Sequence, residues 1–168
     1  MSSKEEAVRV VKDYLRKRSQ ATDGEFLYAT TGIDLKIISQ LKFEARRRQF
    51  VFYVDEPPER GGTDAGLSPL AYFVAGTASC LLNQYAMLAM GKDLPLQGTL
   101  SAKATFDRRI GGAFEAIDYD VKLESTASED EISRLSNEAL GMCYANNTLR
   151  RAGVKITANL FLNGKQIH

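Results

Sequence analysis

The chain has 168 residues, with 22 Lys plus Arg against 21 Asp plus Glu, two cysteines and a single histidine, His168, at the last position. That length suits one domain with a sizeable core, and the balanced charge lacks the basic excess of a nucleic-acid surface. One terminal histidine argues against Ser-His-Asp and Cys-His mechanisms and against His-ligated metal sites, and two distant cysteines cannot form a zinc knuckle. Covalent chemistry, if present, falls to Cys80 and Cys143.

Residues 3–19 read as a charged amphipathic helix with Val8, Val11, Tyr14 and Leu15 as its apolar stripe, an extension (residues 1–20) ahead of a single domain spanning 21–168. No short apolar segment with a cleavage site follows it, which points to a cytoplasmic protein with reduced thiols. Residues 21–32 carry the Asp23-Gly24 and Thr31-Gly32 turn signals of a linker. A strand is expected over 33–44 with a bulge before Leu41, then a turn over 45–49 and an aromatic, β-branched strand over 50–54, which together make a hairpin. The run Arg46-Arg47-Arg48 falls in that turn.

Residues 55–66 are a loop by composition and lead into the stretch around which the chain is organised, 68–91. Ser68 is a good N-cap, Pro69 fits the first helical position and Gly91 reads as a left-handed stop. Between them lie about six uncharged turns, roughly 33 Å long. Length and composition would allow a membrane span, but Ser, Thr, Asn, Gln and Pro dilute the run and its flanks read as amphipathic strands, so a buried helix with no membrane partner is expected. Its less apolar face holds Gly76, Thr77, Cys80, Asn83 and Gln84.

Two strands follow, over 96–107 and 114–126, joined by a Gly-Gly turn into a second hairpin; Ile117, Tyr119, Val121 and Leu123 share one face. Ser128 and Glu131 form a capping box that opens a helix expected to run through Leu149, with Ile132, Leu135, Ala139, Met142 and Cys143 inward. A last strand over 154–162 precedes an Asn163-Gly164 turn. The sum is an α+β domain with mainly antiparallel sheets, and a helix apolar on nearly every side needs cover that a second subunit would supply.

Asp55-Glu56-Pro57, Gly61-Gly62-Thr63-Asp64, Ser68-Pro69 and the helical Ala75-Gly76-Thr77-Ala78-Ser79-Cys80 resemble the OsmC/Ohr family, the osmotically inducible and organic hydroperoxide resistance proteins. A second helical cysteine, Cys143, and the closing strand Val154–Leu162 agree. The resemblance implies an OsmC-like fold, with antiparallel sheets wrapped around buried central helices in an intertwined homodimer whose active sites lie at the subunit interface. It implies a peroxidase of oxidative-stress defence. Cys80 attacks a hydroperoxide and becomes a sulfenic acid, Cys143 condenses with it into a disulfide, and an external dithiol or lipoylated protein reduces that bond, with no bound cofactor.

In the family's peroxidases an Arg held by a Glu stabilises the thiolate. This chain has Leu70 at the Glu position, Ser39 or Gln40 near the Arg position, and Tyr144 where a Pro follows the second cysteine. Arg46, Arg47, Arg48 and Arg60 are the candidates to take over the stabilising role. The sequence is thus similar to a divergent OsmC-like branch, and the alternative is a non-catalytic module of this fold that binds a small apolar ligand at the dimer interface.

Overall fold

The computed structural model describes residues 3–21 and 28–167; the Asp23-Gly24 turn lies outside them. The chain forms two compact units, one of residues 21–75 and one of residues 1–20 together with 76–168.

The 21–75 unit is a three-stranded antiparallel sheet, β1 (Asp34–Ser39), β2 (Lys42–Arg47) and β3 (Phe50–Val54), in the order β1-β2-β3. This corrects the expected two-stranded hairpin. The chain turns at Gln40-Leu41, where Gln40 takes φ 45°, and no Gly, Asn or Pro marks that turn. Arg46 and Arg47 lie in β2, and only Arg48, at φ 53°, sits in the following turn.

The 55–66 loop is built around one carboxylate. Asp55, 1% exposed, accepts hydrogen bonds from the amides of Glu56 (2.9 Å), Thr63 (3.1 Å) and Ala65 (3.2 Å) and from the Thr63 hydroxyl (2.6 Å). The Thr63 hydroxyl, then these amides, hold its carboxyl below the usual carboxylate range against the opposing effect of burial. Gly62 is required here because a Cβ would come within 1.7 Å of the Glu56 carbonyl oxygen.

The long helix α2 (Pro69–Gly91) starts as expected, with the Ala71 amide donating to the Ser68 hydroxyl at 3.4 Å. It runs from one unit into the other, and its first turns belong with the sheet: the Tyr72 hydroxyl donates to the Tyr53 carbonyl at 2.8 Å. Gly91 is helical rather than left-handed; the left-handed residue is Asp93, at φ 55°. Gly91 serves packing instead, since a Cβ there would stand 2.6 Å from Leu15 Cδ1.

The larger unit holds the core. Strands β4 (Gln97–Phe106), β5 (Phe114–Glu124), β6 (Lys155–Leu162) and β7 (Lys165–Gln166) form one sheet in that order. β4 and β5 pair antiparallel through the expected hairpin, whereas β5 and β6 pair parallel. Pairing is mainly antiparallel, as expected, but this sheet is mixed at β5–β6, because two helices separate those strands and carry the chain back to start at the same end. Alternation along β5 places Ile117, Tyr119, Val121 and Leu123 inward, all 2% exposed or less. Against them pack Leu81, Tyr85 and Leu88 of α2, Ile132, Leu135 and Ala139 of α3 (Glu129–Met142), and Leu160 of β6. Each large apolar side chain enclosed this way contributes about 1.5–3 kcal/mol.

The capping box forms, with the Ser128 hydroxyl accepting from the Glu131 amide and the Glu131 carboxylate accepting from the Ser128 amide. The helix expected to continue through Leu149 is instead two, α3 and α4 (Tyr144–Arg151), broken at Cys143 in an extended conformation, φ −72° and ψ 112°. No Pro or Gly stands at 143 or 144 to announce the break. The N-terminal helix α1 (Lys4–Gln20) belongs to this unit: Lys12 pairs with Asp93 at 2.5 Å and Leu15 lies over Gly91.

Candidate active site

Helical pitch and a broken helix bring the two cysteines together. Cys80 lies one turn before Gln84 and one turn after Thr77 on the buried side of α2, and is itself half-buried. Cys143 occupies the single extended residue between α3 and α4 and is fully buried. Its thiol points at Cys80, with Sγ to Sγ 3.5 Å, although the residues are 63 positions apart. A disulfide needs about 2.05 Å between sulfurs, so a movement on the order of 1.5 Å would close the gap. Both thiols are free in this structure.

Burial pushes the Cys143 thiol up to about 11. The neighbouring Cys80 sulfur contributes to that rise, while the amides of Asn146 and Ala145, at the start of α4, oppose it. Cys143 is accordingly a protonated donor at neutral pH, and the sulfur it faces is the acceptor.

A polar cluster borders the pair. The Tyr119 hydroxyl donates to Asn146 Oδ1 at 2.9 Å, and the Thr77 side chain bonds to the same tyrosine. Burial first, then the two cysteines, raise the Tyr119 pKa, so the phenol stays protonated. Asn146 is 0% exposed, and its Nδ2 is the one buried side-chain polar atom without a hydrogen-bond partner among the described residues. The sequence pattern gave Tyr119 only as one of four inward residues on β5; a phenol among aliphatic neighbours is the signal that it would need a polar partner.

Three of the four arginines of the 21–75 unit have partners there. Arg46 pairs with Glu44 at 2.9 Å and Arg60 with Glu56 at 3.3 Å. Arg48 lies over the Phe50 ring, 5.8 Å from its centroid, and Arg47 is exposed at the end of β2. Leu70, in the first turn of α2, is 37% exposed. Among the described residues no group of three or more His, Cys, Asp or Glu side chains could hold a metal ion.

A family profile described as OsmC-like protein matches residues 62–159, more than half of the chain and inclusive of both cysteines. The chain belongs to the OsmC/Ohr family. Solved members share its fold. An OsmC-like protein from Mycoplasma pneumoniae is 25% identical, with a TM-score of 0.65 over 80% of this chain and 99% of that one. An organic hydroperoxide resistance protein OsmC from Legionella pneumophila is 17% identical, with a TM-score of 0.60 over 80% and 99%. A further organic hydroperoxide resistance protein, from Elizabethkingia anophelis, is 17% identical with a TM-score of 0.64, again over 80% and 99%. At that identity the last two speak to the fold alone. No curated protein matches the chain significantly. OsmC/Ohr membership accounts for the α+β architecture, with one sheet antiparallel and the other mixed.

Proposed function

We propose that this chain is a thiol-dependent peroxidase that reduces organic hydroperoxides, with Cys80 as nucleophile and Cys143 as resolving thiol. The observation that carries the reading is the 3.5 Å approach of the two sulfurs, with the buried Cys143 thiol donating toward Cys80. The Cys80 thiolate attacks the outer peroxide oxygen, the O–O bond breaks, and the alkoxide leaves and takes a proton as an alcohol. Cys80 is now a sulfenic acid, oxidised by two electrons. Cys143 loses its proton and attacks the Cys80 sulfur, an S–S bond forms, and the sulfenic oxygen departs as water. An external dithiol or a lipoylated protein returns the pair to two thiols by exchange. Membership in the OsmC/Ohr family and the apolar surroundings of Cys80 support an organic peroxide over a hydrophilic one.

The chemistry suits a compartment that keeps thiols reduced, such as the cytoplasm. A homodimer completes the reading. The sheet of the 21–75 unit exposes Leu35 (59%), Ile37 (67%) and Phe50 (56%) on one face, the kind of apolar surface that a partner subunit covers. On α2, Gly76, Ser79, Asn83 and Ala86 form an exposed, uncharged stripe of mostly small residues that a second helix could approach closely.

One equivalent of cumene hydroperoxide added to the reduced protein is the test. Expected are the loss of both titratable thiols and an 80–143 cross-link in peptide mapping, with Cys80→Ser inert and Cys143→Ser trapping a dimedone-reactive sulfenic acid. Thiols that survive excess hydroperoxide would overturn the peroxidase and leave the ligand-binding module.

A further inference from the structure

We infer that Arg18, contributed by the N-terminal helix, is a positioning residue for the thiol pair. One guanidinium reaches the elements of both cysteines. Its Nη2 donates to the Met142 carbonyl at 2.8 Å, its Nη1 donates to Gln84 Oε1 at 3.2 Å, and its plane lies over the Tyr144 ring, 4.5 Å from the centroid. Met142 and Tyr144 are the residues on either side of Cys143, and Gln84 is one turn beyond Cys80. Tyr14, one turn before Arg18, also bonds to Tyr144.

Physical needs on both sides explain these contacts. The last carbonyls of α3 have no partners within their helix, and a cation at that end is favoured by the helix dipole. Gln84 is 4% exposed, so its carbonyl oxygen requires a donor. Among the described residues Arg18 has no carboxylate partner, unlike Arg16, which pairs with Asp13, and Lys92, which pairs with Glu138. The guanidinium is committed to the break that carries Cys143. The Cys143 carbonyl accepts the first helical bond of α4, from the Asn147 amide at 3.0 Å, and Arg18 braces the same residue from both neighbours while tying it to α2. Only a planar fork can bond two acceptors and stack on a ring at once; an ammonium cannot.

Arg18 thus raises the effective concentration of one thiol at the other. The inference rests on the two-cysteine reading above, so its test includes a readout that does not depend on peroxide. The dithiol–disulfide equilibrium of the full chain is measured in dithiothreitol redox buffers, after oxidation with diamide, for wild type, Arg18→Ala, Arg18→Lys and Gln84→Leu. Each variant is checked by far-UV circular dichroism and melting. The equilibrium constant for the disulfide is expected to fall about tenfold in both Arg18→Ala and Arg18→Lys, equivalent to about 30 mV, and less in Gln84→Leu, which removes one contact. Where Arg18→Ala does not fold, Arg18→Lys decides. In peroxide-treated protein the Cys80 sulfenic acid should also persist longer in these variants. Constants within twofold of wild type in folded variants, or full rescue by lysine, would overturn the proposal. A wild-type pair that cycles in dithiothreitol yet ignores hydroperoxide would overturn the peroxidase and leave the positioning role standing.

Discussion

At the scale of single residues, the proposed division of labour rests on one burial difference. Cys143 is enclosed, Cys80 only partly so, and the enclosed thiol keeps its proton up to about 11. Because the folded state holds that proton more tightly than the unfolded chain, its contribution to stability is complete below about pH 8.5, the value of a free thiol, and is lost as pH rises toward the folded value. In Cys80→Ser protein the largest cause, burial, persists. Alkylation of Cys143 by iodoacetamide should be slow at pH 7 and climb only above about pH 9; rapid, pH-independent labelling near neutrality would contradict the assignment. Helical spacing makes Cys80 legible in the sequence; Cys143 is inward as expected, but from the extended break after α3 rather than from a helix. Arg18 was not legible. It is the last of three cations in Arg16-Lys17-Arg18 on a highly charged helix, and nothing local distinguishes a solvated arginine from one that reaches residues 66 and 124 positions away.

At the scale of elements, the segments with strong periodicity or caps were read correctly: α2 from its Ser-Pro start, α3 from its capping box, β5 from strict alternation. The errors share a cause, which is that the breaking residue is not a breaker by propensity. Gln40 turns the chain between β1 and β2 in a left-handed conformation, and Cys143 divides α3 from α4, each imposed by packing rather than by local chemistry. Parallel pairing of β5 with β6 is likewise a matter of the path taken by the intervening helices. The loop 55–66, a loop by composition, holds a short 3-10 turn, Pro58–Arg60, and a network about Asp55 that composition alone does not announce. Its glycine pair belongs to the family-like run Gly61-Gly62-Thr63-Asp64, and Gly62 is fixed by the Glu56 backbone. Gly62→Ala has no flexible side chain to push aside and should cost at least about 2 kcal/mol in urea unfolding, whereas an exchange at exposed Glu59 should stay within about 0.5 kcal/mol. Equal midpoints for the two variants would show that the loop yields more easily than its close contacts imply.

At the scale of the whole molecule, the exposed apolar sheet and the uncharged stripe on α2 argue for association. Sedimentation should give about twice the 18.6 kDa of one chain, and the double substitution Leu35→Glu with Ile37→Glu should shift the protein toward monomer; an unchanged mass in that variant would move the interface elsewhere. The position of the two thiols in the chain has a consequence of its own. They are neighbours in space but 63 positions apart in sequence, so a bond between them would tie a long loop and strip the unfolded chain of conformational freedom worth about 4 kcal/mol. Oxidation would then do more than remove two electrons from the thiol pair. In the proposed peroxidase cycle the chain would alternate between a loosely and a tightly restrained polymer, and the reductant would work against the restraint. The protein would be hardest to unfold while it waits, oxidised, for that reductant, which is when peroxide outruns the supply of dithiol.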